Sequence, residues 1–189
     1  MRRVSSPVSR QAGFSLVEAL VATALVAGAV VALAELTGVA ARSNARSRQA
    51  TYTAVLAAQK LEQLRALAWG VDARGLPVSD LTTDTAAVPE TPDGGTGLGR
   101  SPGATLLTNT PGWVDYVDRN GAALGGGAGP QRDAAYIRRW AVQPLAEDPD
   151  TLVIQVLVIL RRDDGAGPRA LGRLPGQARV VMIRTRKRR

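Results

Sequence analysis

The sequence predicts an α+β fold. One long N-terminal helix, membrane-spanning in its first half and amphipathic in its second, packs on a small antiparallel sheet of three to four strands, with a Gly/Pro-rich loop region between. Three observations carry this. Residues 14–34 are an apolar run of 21 residues whose polar side chains are Ser15, Glu18 and Thr23. Apolar residues then recur at helical spacing as far as Ala68, and three β-rich runs bounded by Pro, Gly or Asp occupy the last third.

Residues 1–13, MRRVSSPVSRQAG, are short, basic and polar around Pro7 and carry Arg2, Arg3 and Arg10. That is the composition of a cleaved leader and not of a fold element. Residues 14–41 follow as a hydrophobic transmembrane or filament-core helix. As a helix, the run to Ala34 rises about 31 Å at 1.5 Å per residue, enough to cross a hydrocarbon core of about 30 Å. Gly38 is isolated and the next strong breaker is Gly70, so the helix is expected to continue to about Trp69. Over residues 42–69, Ala50, Ala54, Ala57, Leu61, Leu64 and Ala68 recur at spacings of four and three. Arg42, Arg46, Arg48, Lys60, Glu62 and Arg65 lie mostly off that line, which leaves one face to bury.

Residues 70–135 hold 13 of the 20 glycines and 6 of the 11 prolines. This composition predicts loops, with a short element at GWVDYVD, residues 112–118. Residues 136–189 comprise a sheet and a basic tail, with strands at 136–144, 151–160 and 178–186. Their connections contain no helical crossover, which favours antiparallel neighbours. The third run alternates, setting Val181, Ile183 and Thr185 against Val180, Met182 and Arg184.

Composition narrows the function. At 189 residues the chain suits one folded head with an appended element. With no histidine and no cysteine, a His-assisted nucleophile, a thiol nucleophile, a Cys/His zinc site and a disulfide framework are excluded. The expectation is a structural chain, not an enzyme, with no cofactor and no metal. The formal charge of +8 is spread along a sequence with only 4% aromatic residues, so it permits nucleic acid or anionic lipid as a partner without specifying either.

Several local motifs have a plain reading. LGGGAGP at 124–130 lacks the following Lys-Ser/Thr of a phosphate loop and reads as loop. DYVDRNG brings Asp115, Asp118 and Asn120 together before Gly121; with no bidentate glutamate at calcium-loop distance, it reads as a type I turn. Asp163 and Asp164 before Gly165 read as turn residues, and Glu35 as an interfacial carboxylate ending the span. The terminal RTRKRR reads as a solvated tail or an acidic-partner contact. Its alternative is phosphate contact with DNA through Arg184, Arg186, Lys187, Arg188 and Arg189.

The first segment admits three fates. A plain signal peptide would be cut after Ala34, where Ala32-Leu33-Ala34 precedes Glu35, and release a soluble body. An uncut anchor would keep the span. Neither gives Glu18 a reason to be there, because a carboxylate at membrane depth costs about 2.5 to 3.5 kcal/mol on insertion scales. A cut between Gly13 and Phe14 supplies the missing positive charge as a new α-amino group, of ordinary pKa about 7.7 to 8.0.

Gly13 followed by Phe14-Ser15-Leu16-Val17-Glu18, behind a basic leader, resembles the type III signal of type IV pilins and type II secretion pseudopilins. The resemblance is specific over residues 10–69 and architectural beyond. It implies cleavage after Gly13 by prepilin peptidase, N-methylation of Phe14, and a Glu18 carboxylate that pairs with a neighbouring subunit's terminal amine and sets register. Implied partners are other pilins or pseudopilins, an inner-membrane assembly platform and membrane lipid before assembly. The implied location is single-pass in the inner membrane, leader cytoplasmic and head in the periplasm or outside the cell. Arginines flank the span on both sides, so charge bias alone does not orient it. No proline kinks the helix between Pro7 and Pro77 and no disulfide is available, departures that favour a minor subunit over the shaft pilin. The C-terminal runs are similar to PilV-like minor pilins. A minor pseudopilin of a type II secretion system is the alternative, and a module displaying the Gly/Pro-rich loops to DNA or a surface ligand is a second one.

Overall fold

A computed structural model of the chain describes residues 13–165 and 174–186. The chain divides into two units, residues 1–45 and 46–189. Helix α1, Leu16–Ala66, runs through the boundary between them.

In the first unit the helix is apolar on every side. Leu16, Leu20, Leu25, Val30, Leu33 and Leu36 are all more than half exposed. The two threonines in this stretch satisfy their hydroxyls locally: Thr23 Oγ1 donates to Ala19 O and Leu20 O at 3.0 and 2.9 Å, and Thr37 Oγ1 to Leu33 O at 2.8 Å. Such back-bonding leaves neither threonine hydroxyl in need of water. The helix is long and apolar enough to cross a membrane.

The second unit is a five-stranded antiparallel sheet against the last five turns of α1. In chain order the strands are β1 (Trp69–Val71), β2 (Pro77–Ser79), β3 (Val114–Val117), β4 (Ala123–Gly126), β5 (Tyr136–Leu145), β6 (Asp148–Leu160) and β7 (Ala178–Thr185). β1 and β2 form a separate hairpin, and the main sheet runs β4-β3-β5-β6-β7. β5 and β6 make the longest ladder, from Tyr136 opposite Leu160 to Leu145 opposite Asp148. β7 pairs β6 from Thr151 opposite Thr185 to Val158 opposite Ala178.

Strand period sorts the side chains. Trp140, Val142, Leu152, Ile154, Val156 and Val158 face the helix and pack with Leu56, Ala57 and Leu64. Tyr116, Ile137, Leu157 and Ile159 form a second cluster on the opposite face, covered by Leu106 and Leu124. Burying one such large side chain contributes about 1.5 to 3 kcal/mol, so this two-sided packing holds β5 and β6 at the centre.

The α+β class is as expected, and the three C-terminal strands lie where the sequence places them. The sheet is wider than three or four strands, because part of the glycine-rich region pairs. The element expected at 112–118 is β3, with all four residues buried. Its hairpin partner β4 takes up Gly125 and Gly126, which the sequence reads as loop. A Cβ on Gly126 would stand 2.6 Å from Ala86 Cβ and 2.7 Å from Val114 O, so a bare backbone is what lets the strand approach.

The helix ends at Ala66, shortly before Trp69, which opens β1. Its buried stripe is Thr53, Leu56, Ala57, Lys60 and Leu64. That is rotated from the apolar line read in the sequence, since Ala50, Ala54 and Ala68 are exposed. The reason is Lys60, which sequence reasoning places off the buried face and the structure places in its middle.

Candidate functional site

Two groups of residues stand out, one in each unit. In the first unit, Gly13, Phe14 and Ser15 precede the helix as irregular chain, and Glu18 falls in its first turn. The helix dipole favours a carboxylate there. Ala19 N donates to Ser15 O at 3.1 Å, so the helical ladder starts just after Phe14. The Phe14 side chain is 78% exposed. Glu18 is exposed as well and makes no ion pair among the described residues. Glu35, later in the same unit, is also exposed. Among the described residues of its own unit, this apolar helix with one acidic group near its start has nothing to bury against.

In the second unit the polar centre is a buried ionic triad between α1 and the sheet. Asp115 of β3 and Arg138 of β5 are register partners. Arg138 holds the carboxylate with two bonds, Nε to Oδ1 at 2.7 Å and Nη2 to Oδ2 at 2.9 Å. Lys60 reaches down from the helix to Asp115 Oδ2 at 2.8 Å, with all three side chains almost fully buried. Lys60 Nζ also donates to Thr85 O and sits 4.3 Å from the centroid of the Trp140 ring. Gln59 accepts from Arg138 Nη1 at 3.3 Å. Burial pulls the Lys60 ammonium below its ordinary pKa, and the Asp115 charge opposes that pull.

One carboxylate thus serves two cations, and each cation has a further partner. The triad ties helix to sheet at one register, because sliding the helix would take Lys60 off Asp115 and leave a buried ammonium unpaired. Asp115, grouped by sequence with the DYVDRNG turn, takes no part in that turn. Asp118 makes it instead: its Oδ1 accepts from Asn120 N and Ala122 N, both at 2.8 Å. Among the described residues no cluster of acidic side chains could hold a metal.

A second ionic group lies on the opposite face. Arg139 pairs with Asp164 and donates Nε to Asn109 Oδ1 at 2.9 Å; Asn109 Nδ2 donates to Asp164 Oδ2 at 3.0 Å. Asp164, read from sequence as a turn residue, therefore also pins the loop holding Asn109 over the sheet.

The C-terminal arginines are engaged with the unit itself. Arg184 Nη1 donates to Arg65 O at 2.8 Å and covers the carbonyls that end α1. Arg186 stacks 3.6 Å from the Trp69 ring centroid, pairs with Asp150, and donates to Gly70 O and Val78 O at 2.7 and 2.8 Å. It therefore latches the β1–β2 hairpin to the sheet. Lys187, Arg188 and Arg189, and the leader arginines Arg2, Arg3 and Arg10, lie outside the described residues.

Sequence reasoning missed the triad. The available signal was a lysine at helical spacing between Ala57 and Leu64, but a lone lysine at such a position is usually solvated. The LGGGAGP run forms the end of a β hairpin, with Tyr116 Oη donating to Gly127 O at 2.8 Å. Comparisons with family models, with curated proteins and with solved structures return no match.

Proposed function

We propose that this chain is a structural minor pilin of a type IV pilus, cut by prepilin peptidase between Gly13 and Phe14 and assembled into, or priming, a filament through its N-terminal helix. The observation that carries the reading is the first unit's helix: apolar around its whole circumference, exposed along its length, with Glu18 in its first turn. Before assembly such a surface is covered by lipid, and afterwards by the helices of neighbouring subunits. In both places Glu18 needs a cation, and the α-amino group of a neighbouring Phe14 supplies one. The head then stands in the periplasm or outside the cell, on a single-pass inner-membrane anchor. The same parts would serve a minor pseudopilin of a type II secretion system.

The support is of two kinds: the Gly13-Phe14-Ser15-Leu16-Val17-Glu18 run in the sequence, and a head whose buried triad grips the continuation of the same helix. A head pulled through its helix needs that grip. Mass analysis of the mature N-terminus tests the proposal. N-methylated Phe14 is the expected species. A terminus at Glu35 would make the chain a released secretory protein, and an intact leader in cells with active prepilin peptidase would end the pilin reading.

A further inference from the structure

We infer that the end of the second unit at which the helix enters is a contact surface for anionic lipid headgroups. The inference rests on reading residues 14–41 as a membrane span. Four arginines from three separate segments meet there. Arg119 comes from the turn between β3 and β4, Arg132 from the segment before β5, and Arg161 and Arg162 from the 3-10 turn after β6. All four are exposed. They line two adjoining open depressions of about 400 and 330 Å³ that share Arg119, Ala134 and Arg161.

The helix marks which end this is. Tyr52 Oη donates to Arg119 O at 3.3 Å, and the Tyr52 ring lies 5.3 Å from that of Tyr136. Arg48, one turn earlier, shares the helix face of Tyr52, and Arg46 opens the unit. Among the described residues this end thus carries six arginines against Asp118, Asp133 and Asp163, a surplus of three. An exposed surplus of guanidinium groups complements the negative surface potential of an anionic leaflet.

Lipid fits these residues better than nucleic acid does. Tyr52 and Tyr136 are half-buried against each other and leave no platform for base stacking, and the three aspartates interrupt any continuous phosphate track. A fluid headgroup layer adapts to such interspersed charge, whereas a nucleic-acid backbone of fixed spacing does not.

The chain has no cysteine, so one introduced at the exposed Ala122 beside the patch takes a single fluorophore. The full-length protein is reconstituted into phosphatidylcholine vesicles, and into vesicles containing phosphatidylglycerol, each with a headgroup quencher. Quenching about two-fold or more stronger in the anionic vesicles is expected. It should be lost at high salt and lost in the triple variant Arg119→Gln, Arg132→Gln, Arg162→Gln. Arg161 is spared because its Nη1 donates to Arg132 O at 3.0 Å and holds the loop. Equal quenching in both vesicles, or a difference that survives the triple variant, would overturn the inference. So would displacement of the head from anionic vesicles by duplex DNA, which would reassign the patch to nucleic acid. Extraction of the protein by alkaline carbonate is a separate readout: release from the membrane would remove the span reading itself.

Discussion

If Asp115 is the hub of the buried triad, substitutions at its members should differ in a set order. Asp115→Ala removes the carboxylate that Lys60 and Arg138 share and leaves two buried cations facing each other. Breaking a buried pair from one side costs about 3 to 5 kcal/mol, and here two cations are stranded, so the upper part of that range is expected. Lys60→Met is milder. Asp115 keeps both bonds from Arg138, the methionine side chain can pack on Trp140, and the main loss is the donor to Thr85 O. An orphaned buried acceptor costs about 1 to 3 kcal/mol, partly offset by no longer desolvating an ammonium, for a net loss of about 0 to 2 kcal/mol. Against a typical domain stability of about 5 to 15 kcal/mol, the first change removes a large share and the second a small one. Trp69, Trp113 and Trp140 all lie in the second unit, so urea titration of the detergent-solubilised full chain by tryptophan fluorescence reads this unit. A Lys60→Met loss equal to or larger than the Asp115→Ala loss would refute the hub.

The pH dependence of the same comparison carries a sign. Burial lowers the folded pKa of Lys60 from its usual 10.5, so between that lowered value and 10.5 the unfolded chain binds more protons. The Lys60 contribution to stability therefore rises with pH through this window. Tyr116 and Tyr136 are raised above 10.0 by burial and lose stability as pH climbs past that value. Both tyrosines remain in Lys60→Met, so subtracting the two urea-stability profiles isolates the lysine, and the difference should move in favour of wild type as pH rises. Gly126→Ala should cost about 1 to 3 kcal/mol, because its Cβ meets Ala86 and the Val114 carbonyl; thermal melting checks this. Arg186→Ala should shift Trp69 emission and loosen the β1–β2 hairpin in hydrogen exchange. Glu18→Ala or Glu18→Val should insert into membranes as well as wild type or better, yet enter filaments poorly, as measured by the amount recovered in sheared filaments.

Periodicity and composition suffice for the long helix and for β5, β6 and β7, because each of these is a long run with one strong pattern. A 21-residue apolar stretch and a strand alternating from Ala178 to Thr185 are local facts that tertiary context only confirms. β3 and β4 were harder to read. Four residues of strand carry almost no periodic signal, and Gly125 and Gly126 argue against a strand until Ala86 and the Val114 carbonyl are seen to need the space.

The sequence alone determined the first unit's character, the absence of histidine and cysteine chemistry, the α+β class and the place of Glu18 relative to Gly13 and Phe14. These depend on residue type and short spacing, which the linear chain displays in full. Only the tertiary structure decided which face of α1 is buried, that Lys60, Asp115 and Arg138 form one centre, that Arg184 and Arg186 are bonded to the head, and that Arg119, Arg132 and Arg161 share one surface. Each of these brings together residues from separate elements, up to 119 positions apart. A buried charge is stable only where its partner arrives from another element. The sequence records the charge, and the fold records the arrival.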